Sequence, residues 1–156
     1  ITISTCGIVP EILKLANENM QVELSISLHA SDDAARTRLM PINKRYPISK
    51  LIETCKEYIL KTNRQITFEY ILLKGINDSP VDAKRLIQLL KGVKCKINLI
   101  PYNEVEGVKF ESPDTETVKT FRTILKMGGL RNTLRLQRGS DIRASCGQLR
   151  MMENIP

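Results

Sequence analysis

The sequence predicts an α/β fold in which helices connect the strands of a parallel sheet. Two observations support this: strand-like and helix-like segments alternate along the chain, and each strand-like segment carries polar residues on one face and apolar residues on the other. Short strands separated by amphipathic helices are typical of right-handed βαβ units, whose strands run parallel. With 156 residues and 42% hydrophobic content, the chain can bury a core of its own.

The individual elements follow from hydrophobic periodicity. Strand-like segments alternate in period two, and helix-like segments repeat apolar side chains three and four residues apart. These patterns predict strands at 1–5, 22–30, 65–73, 95–103 and 132–138, and helices at 9–19, 31–40, 47–62, 81–93 and 112–129.

Proline, glycine and capping residues set the expected helix ends. Pro10 lies early in the first helix, Ser31 is a candidate N-cap of the second, and Pro41 ends that helix. Ser79 is a candidate N-cap of the fourth helix, and the pair Gly128 and Gly129 ends the fifth.

The polar strand faces predict a ligand site. Central parallel strands are usually apolar on both faces, yet here one face of each strand holds polar side chains: Thr2 and Ser4; Ser25, Ser27 and His29; Thr67 and Glu69; Lys96 and Asn98. Either these faces meet solvent or each other, or they line a partial barrel with a hydrophilic interior. We favour the barrel, with a polar ligand near the carboxyl ends of the strands, where α/β folds gather their sites. Spacing alone leaves open sheet and barrel undecided.

Two strand-end residues are candidates for contact with that ligand. His29, the only histidine, ends "LSISLHA" and can donate or accept through either ring nitrogen, although a lone histidine is also a common structural hydrogen-bonding residue. Asn103 follows "INLIP", where a loop would open onto the site, although Asn after Pro is also ordinary turn chemistry.

Cys146, in "RGSDIRASCGQL", is the candidate reactive thiol. Arg138 and Arg143 are near it in sequence, and positive charge favours the thiolate. The alternative is an inert, half-buried thiol. The other cysteines, Cys6, Cys55 and Cys95, lie on faces that we interpret as core.

The C-terminal region is strongly basic within a chain of net charge +7. Between residues 126 and 150, Asp141 is the single acidic residue, and the basic ones are Lys126, Arg131, Arg135, Arg138, Arg143 and Arg150. This stretch is either a solvated basic face or a surface that binds a polyanion.

Several classes of protein are excluded or disfavoured. No apolar run approaches the roughly 20 residues of a membrane-spanning helix, so we expect a cytoplasmic protein without membrane contact. The cysteine spacing matches no zinc motif, so a metal would need ligands from outside this chain. Glycine-rich nucleotide loops and a G-x-S-x-G elbow are absent. A Cys146–His29 hydrolase pair is conceivable, but nothing local supports it.

Six segments together, in order, resemble one family. They are "ISTCG", "LSISLHA", "MPINKRY", "FEYILLKGIND", "CKINLIPYN" and "RGSDIRASCGQL". The family is the radical S-adenosylmethionine (SAM) RNA adenine methyltransferases of the RlmN and Cfr group. The resemblance covers essentially the whole chain and is strongest to the RlmN type, which methylates carbon 2 of an adenine in 23S ribosomal RNA and in tRNA; the Cfr type, which modifies carbon 8, is the alternative.

The resemblance implies a fold and a set of site residues. The fold would be the C-terminal portion of a partial (β/α)6 TIM-like radical SAM barrel with a C-terminal strand extension, spanning 1–150 with the cysteine tail, followed by a short tail at 151–156. The positions that resemble SAM-binding residues are Ser4, Ser27, Leu28, His29 and Asn103. Cys146 resembles the cysteine that is methylated by one SAM and then loses a hydrogen from that methyl group to a 5′-deoxyadenosyl radical.

Other parts of the family's machinery are not in this sequence. They are the C-x-x-x-C-x-x-C loop that binds a [4Fe-4S] cluster, the second cysteine, the carboxylate base and the N-terminal RNA-binding domain. We therefore expect a C-terminal piece, monomeric and inactive alone, with no metal ligands of its own. Arg131, Arg135, Arg138 and Arg143 would contact ribosomal RNA and tRNA. Two other classes stay open: a basic RNA-binding module without catalysis, and a radical SAM enzyme acting on a small molecule.

Overall fold

The computed structural model describes residues 1–18, 20–104 and 107–135. Strands are β1 (Thr2–Thr5), β2 (Glu23–Ser27), β3 (Ile66–Leu72), β4 (Cys95–Pro101) and β5 (Asn132–Leu134). Helices are α1 (Val9–Asn17), α2 (Asp33–Leu39), α3 (Ile48–Thr62), α4 (Pro80–Leu89) and α5 (Thr115–Met127), with a 3-10 turn at Pro41–Lys44. The predicted α/β class is confirmed, whereas the boundary at 150/151 lies outside the described residues.

The five strands form one parallel sheet in the order β1-β2-β3-β4-β5. A strand order that follows the chain without reversing, joined by right-handed crossovers, places every connecting helix on the same face of the sheet. A doubly wound sheet would reverse direction and put helices on both faces. The order therefore favours a barrel segment over an open doubly wound sheet, which spacing alone left undecided.

The core lies between that sheet face and the helices. Strands β3 and β4 alternate buried and half-buried residues along their length. The residues of the middle strands that face the helices are fully buried, among them Ile26, Phe68, Tyr70, Ile97 and Leu99. The helices complete the same cluster through Ile12, Leu51, Leu86 and Phe121. The opposite sheet face carries the polar residues, as their alternation predicts.

Helix ends follow the expected capping chemistry with one correction. Ser79 caps α4 in a reciprocal capping box with Asp82, as predicted. The predicted cap Ser31 is wrong for α2: the side chain of Asp32 accepts the Ala35 N–H instead, at 2.9 Å. Both residues are good cap formers, and Ser31 points its hydroxyl at the Asp82 carboxylate, 3.3 Å away.

Two further residues differ from the sequence expectation. Strand β2 ends at Ser27, so His29 lies beyond the strand rather than within it. Cys6 is half-buried just after β1, unlike Cys55 and Cys95, which are buried. Both differences arise because β1 ends at Thr5 and β2 ends at Ser27, so Cys6 and His29 lie in the loops that follow the strands.

Candidate functional site

The strand register arranges the polar residues in two rows across the sheet. The first row runs Ser4, Ser25, Thr67, Lys96. The second row, nearer the carboxyl ends, runs Ser27, Glu69, Asn98, Thr133. Directly opposed side chains in a sheet lie about 5 Å apart, so hydroxyls, an amide, a carboxylate and an ammonium group share one continuous face.

Glu69 stands at the centre of the second row, between Ser27 and Asn98. Among the residues that the structure describes, its carboxylate makes no side-chain hydrogen bond and no ion pair within 4 Å. The alternation of the strand predicts that Glu69 lies on this face but indicates no role for it. An acceptor of this kind, without a partner in the described chain, suits the hydroxyl or amino groups of a ligand.

His29 adopts a left-handed backbone conformation, with φ of 57°. Non-glycine residues in this region carry about 1–3 kcal/mol of strain and concentrate at functional sites. The turn brings the ring to β3, where the backbone N–H of Ile71 donates to Nδ1 at 3.2 Å. Since Nδ1 accepts, the neutral ring carries its proton on Nε2, which can then donate to a ligand.

The surroundings keep that ring neutral. Burial, with a smaller contribution from the positive charge of Arg36, lowers the pKa of His29 from 6.5 to about 4. At neutral pH the imidazole is therefore a hydrogen-bonding group with a fixed tautomer rather than a cation.

Asn77 holds the His29 loop against β3. Its side-chain Nδ2 donates to the carbonyl oxygens of His29, at 2.8 Å, and Ile71, at 2.7 Å, and its Oδ1 accepts from the Leu73 N–H at 2.7 Å. The residue is 1% exposed. Its side chain therefore joins the ends of β2 and β3 through three hydrogen bonds shielded from water.

Arg36 does the same for β1 and β2. The fully buried guanidinium donates to four oxygens, namely Leu28 O (3.2 Å), Ser27 O (3.1 Å), Cys6 O (2.8 Å) and Asn43 Oδ1 (3.0 Å). Burial lowers its pKa from 12.5, yet arginine remains charged under physiological conditions. One planar cation thus positions the backbone just after β1, at Cys6, and at the end of β2, at Ser27 and Leu28.

A second asparagine supports that cation. Asn43 directs its Oδ1 at Arg36 and its Nδ2 at the carboxylate of Asp33, 2.8 Å away. The same Asp33 oxygen accepts the Ile48 N–H at 2.9 Å. In the sequence, "MPINKRY" and "GIND" stand out only as parts of a resemblance to a family. In the structure, their asparagines are buried and support the strand ends.

The predicted residues at this edge differ in what they offer a ligand. Ser4 is exposed and Ser27 is half-buried, both on the polar face. Leu28 is 0% exposed and belongs to the core, and its N–H and C=O are bonded to Glu69 O and Arg36 Nε. Its contribution is to anchor Ser27 and His29 on either side.

Asn103 follows β4 at the same edge of the sheet. The Tyr102 N–H donates to Leu72 O at 3.2 Å, which extends the β3–β4 pairing beyond the end of β4. The Nδ2 atom of Asn103 is buried and has no hydrogen-bond partner among the residues that the structure describes. A buried amide donor without an acceptor is costly, by about 1–3 kcal/mol, and an incoming acceptor would remove that cost.

The remaining predicted residues lie at or beyond β5. Arg131 and Arg135 are exposed on either side of this strand. Arg138, Arg143 and Cys146 lie outside the described residues. Within the described ranges, no group of three or more His, Cys, Asp or Glu side chains is placed to hold a metal ion. Nor does any helix there have the length and hydropathy needed to cross a membrane.

Sequence comparison finds bacterial relatives along nearly the whole chain. Over 150 residues, 96% of the chain, it is 54% identical to a protein of Thermoanaerobacter sp. (strain X514) named "Probable dual-specificity RNA methyltransferase RlmN" and covers 44% of that protein. Proteins of the same name in Clostridium tetani and Desulforudis audaxviator are 52% and 51% identical, covered to 43% and 47%. The chain thus spans less than half the length of these relatives. No family model matches it.

Structure comparison gives a matching result. A crystal structure described as a radical SAM methyltransferase from Sphaerobacter thermophilus superimposes on 95% of the chain with a TM-score of 0.92 at 47% identity, and 43% of that protein is covered. A domain of a pyruvate-formate lyase-activating enzyme from Bacteroides vulgatus matches with a TM-score of 0.67 at 18% identity, which is a likeness of fold alone.

Proposed function

We propose that this chain, which is 54% identical to a protein named RlmN, belongs to the radical SAM methyltransferases of that group. We propose further that it supplies the SAM pocket of an enzyme that methylates carbon 2 of an adenine in 23S ribosomal RNA and in tRNA. The observation that carries the proposal is the Asn103 amide, which is buried and has no hydrogen-bond partner in the described part of the chain, at the same sheet edge as the neutral His29.

The residues at that edge fit the polar groups of SAM. SAM carries carboxylate, ribose and adenine acceptors, together with amino and hydroxyl donors. His29 Nε2–H and Asn103 Nδ2 are donors; the hydroxyls of Ser4 and Ser27 can donate or accept. We propose that these four residues contact SAM. Leu28, whose backbone N–H and C=O are bonded within the chain, holds Ser27 and His29 in place.

The described residues do not fit a [4Fe-4S] cluster, which is held by cysteine thiolates. Cys55 and Cys95 are buried in the core, and burial raises the pKa of their thiols to about 12 and about 11. We propose that the ligands of the cluster come from outside this chain. The binding roles proposed for the described residues do not depend on the cluster.

The chain's own contribution to the chemistry is a pocket and a sulfur atom. Bound SAM supplies the methyl group and the radical. Carbon 2 of adenine is electron-poor and has no nucleophilic lone pair, so a methyl group carried on a protein sulfur offers a route that direct displacement does not. We propose Cys146 as that sulfur. We propose that the Nε2–H of His29 donates a hydrogen bond to the ligand throughout the neutral pH range, because burial lowers the pKa of the ring to about 4 and keeps it neutral.

The experiment uses a chimera in which this chain replaces the matching 150-residue segment of the Thermoanaerobacter relative. With SAM, reductant and a 23S rRNA fragment, nucleoside mass spectrometry and retention time should identify 2-methyladenosine, and Cys146→Ala should abolish it while RNA binding persists. Formation of 8-methyladenosine would reassign the protein to the Cfr type. RNA binding without methylation in the unsubstituted chimera would contradict an enzymatic role.

A further inference from the structure

A basic groove lies at the β5 edge of the sheet. It has a volume of about 780 Å³ and lies between α5, from Lys119 onward, and the β5 segment. We call this cavity the β5 groove. Five of the described side chains that line it are cationic: Lys96, Lys119, Arg122, Lys126 and Arg131. Among the described residues that line it, none carries a carboxylate.

These cations have few partners within the described chain. Lys119 pairs with Glu116 at 3.7 Å, but both side chains are more than two-thirds exposed, and such pairs contribute little. Arg122 directs Nε at Asn132 Oδ1, 3.3 Å away, which orients the guanidinium. Lys96, Lys126 and Arg131 have no ion pair in the described residues. Clustered like charges repel, so an anion in the groove lowers the energy.

Helix electrostatics explains only part of this cluster. Cations in the last turn of a helix are favoured by its dipole, which accounts for Lys126. Lys96 lies on β4 and Arg131 immediately before β5, where the dipole of α5 gives them no reason to converge. Lys119 and Lys126 are seven residues apart, so they lie on the same face of α5.

The charge along α5 is polarised. At the other end of the helix, a smaller pocket of about 320 Å³ is lined by Asp78, Asp114 and Glu116. A polyanion is therefore attracted to the carboxyl-terminal end of α5 and repelled from its amino-terminal end, which gives the groove a defined orientation.

The size and lining of the groove suit a nucleic acid strand. Its volume is in the range that accommodates ligands far larger than one phosphate ion. Leu130 and the aliphatic stems of the basic residues add apolar surface, and arginine planes can stack on bases while cations contact phosphates. Thr133 lines the groove and also bonds Asn98 Oδ1 at 3.3 Å, so the groove adjoins the second polar row.

We propose that the β5 groove binds the sugar–phosphate backbone of the RNA strand beside the target adenine and leads that strand to the polar sheet face. The inference rests on the proposed function and deepens it, because it assigns phosphate contacts to Lys96, Lys119, Arg122 and Lys126 in addition to the arginines that sequence reasoning selected.

The test measures binding of a fluorescein-labelled RNA hairpin by the chimera, using anisotropy from 50 to 200 mM salt. Lys119→Glu with Lys126→Glu should weaken binding about tenfold or more at the lowest salt and reduce the slope of log K against log salt by about 1.4, the contribution of two single-strand phosphate contacts. The charge-preserving pair Lys119→Arg with Lys126→Arg should bind as the unsubstituted chimera does.

The matched control is Lys50→Glu with Lys56→Glu, two exposed lysines on α3 that impose the same change in net charge. An equal loss of affinity in the control variant would overturn the proposal that the β5 groove binds RNA, since overall charge would then explain the effect. Unchanged RNA binding by the Lys119→Glu, Lys126→Glu variant would also overturn the proposal. So would binding of polyglutamate by the unsubstituted chimera as tightly as RNA. Failure of the unsubstituted chimera to bind RNA would contradict the proposed function itself, which separates the two failures.

Discussion

The side-chain amide of Asn77 donates a 2.8 Å hydrogen bond to the backbone carbonyl of His29, joining two loops that are 48 residues apart in sequence. The same amide bonds Ile71 O, and Ile71 N–H bonds the His29 ring. Because the His29 N–H also donates to Glu69 O at 3.3 Å, the strained turn is held at three points by β3 and the loop that follows it. This arrangement fixes where Nε2 can donate.

Asn77→Asp should destabilise the fold severely. A carboxylate would replace the amide donor opposite two carbonyl oxygens at a site that is 1% exposed. We expect a loss of about 3 kcal/mol or more in the free energy of unfolding, measured by urea denaturation. The control Asn17→Asp, at an exposed position on α1, should change it by less than about 0.5 kcal/mol. Equal stabilities for the two variants would show that the Asn77 bonds are dispensable.

Arg36→Lys tests the buried guanidinium. Lysine keeps the charge but cannot reach four oxygens in a fork, so the carbonyl groups of Cys6, Ser27 and Leu28, at the ends of β1 and β2, lose donors. We predict a loss of about 3 kcal/mol, seen as a fall in Tm of about 6 °C or more. Arg38→Lys, exposed on the same helix, is the matched control and should leave Tm unchanged within about 1 °C. A similar small shift for Arg36→Lys would refute its structural role.

His29 should make stability dependent on pH in a defined window. Its pKa is lowered from 6.5 to about 4 on folding, so the unfolded chain binds the proton more tightly. Its contribution is complete above pH 6.5 and is lost as pH falls towards 4, by up to about 3 kcal/mol.

His29→Asn isolates that contribution. Asparagine tolerates the left-handed conformation and keeps an acceptor for the Ile71 N–H, but it does not titrate. Denaturation curves at intervals from pH 7 to pH 4 should show a smaller fall in stability for the variant than for the unsubstituted chain, since the acidic residues are common to both. Parallel curves over this range would mean that the folded state does not disfavour the charged imidazole.

The cysteines should differ in reactivity. Burial raises the pKa of the Cys55 thiol to about 12 and that of Cys95 to about 11, whereas Cys6 is half-buried beside the end of β1. In a Cys146→Ala chain at pH 8, a maleimide followed by peptide mass spectrometry should label Cys6 first, and Cys55 and Cys95 only in denaturant. Labelling of Cys55 at the rate of Cys6 in the native chain would contradict the packing described for α3.

Periodicity was sufficient to predict the α/β class because β3 and β4 alternate buried and half-buried positions along their length. Ile66, Phe68 and Tyr70 alternate with Thr67 and Glu69, and the register keeps both sets in continuous rows. Strand order could not be predicted from spacing, since it depends on which strands pair across the sheet.

The supports of the site were not predictable from local sequence. Arg36 looks like one of many helix cations, and its burial follows only when Cys6, Ser27 and Asn43 converge on it in three dimensions. The turn at His29 breaks the strand periodicity, so alternation placed the ring on the wrong element. Asn103 was correctly found at a strand end, but its unpartnered amide is visible only in the packed structure.

Equilibrium binding of radiolabelled SAM to the chimera tests the central claim most directly. Asn103→Asp replaces the buried, unpartnered Nδ2 donor by an acceptor of the same shape, and should weaken binding about tenfold or more. Asn17→Asp, at an exposed site, should bind SAM as the unsubstituted chimera does. Equal affinities for all three proteins would contradict a SAM site at this edge of the sheet.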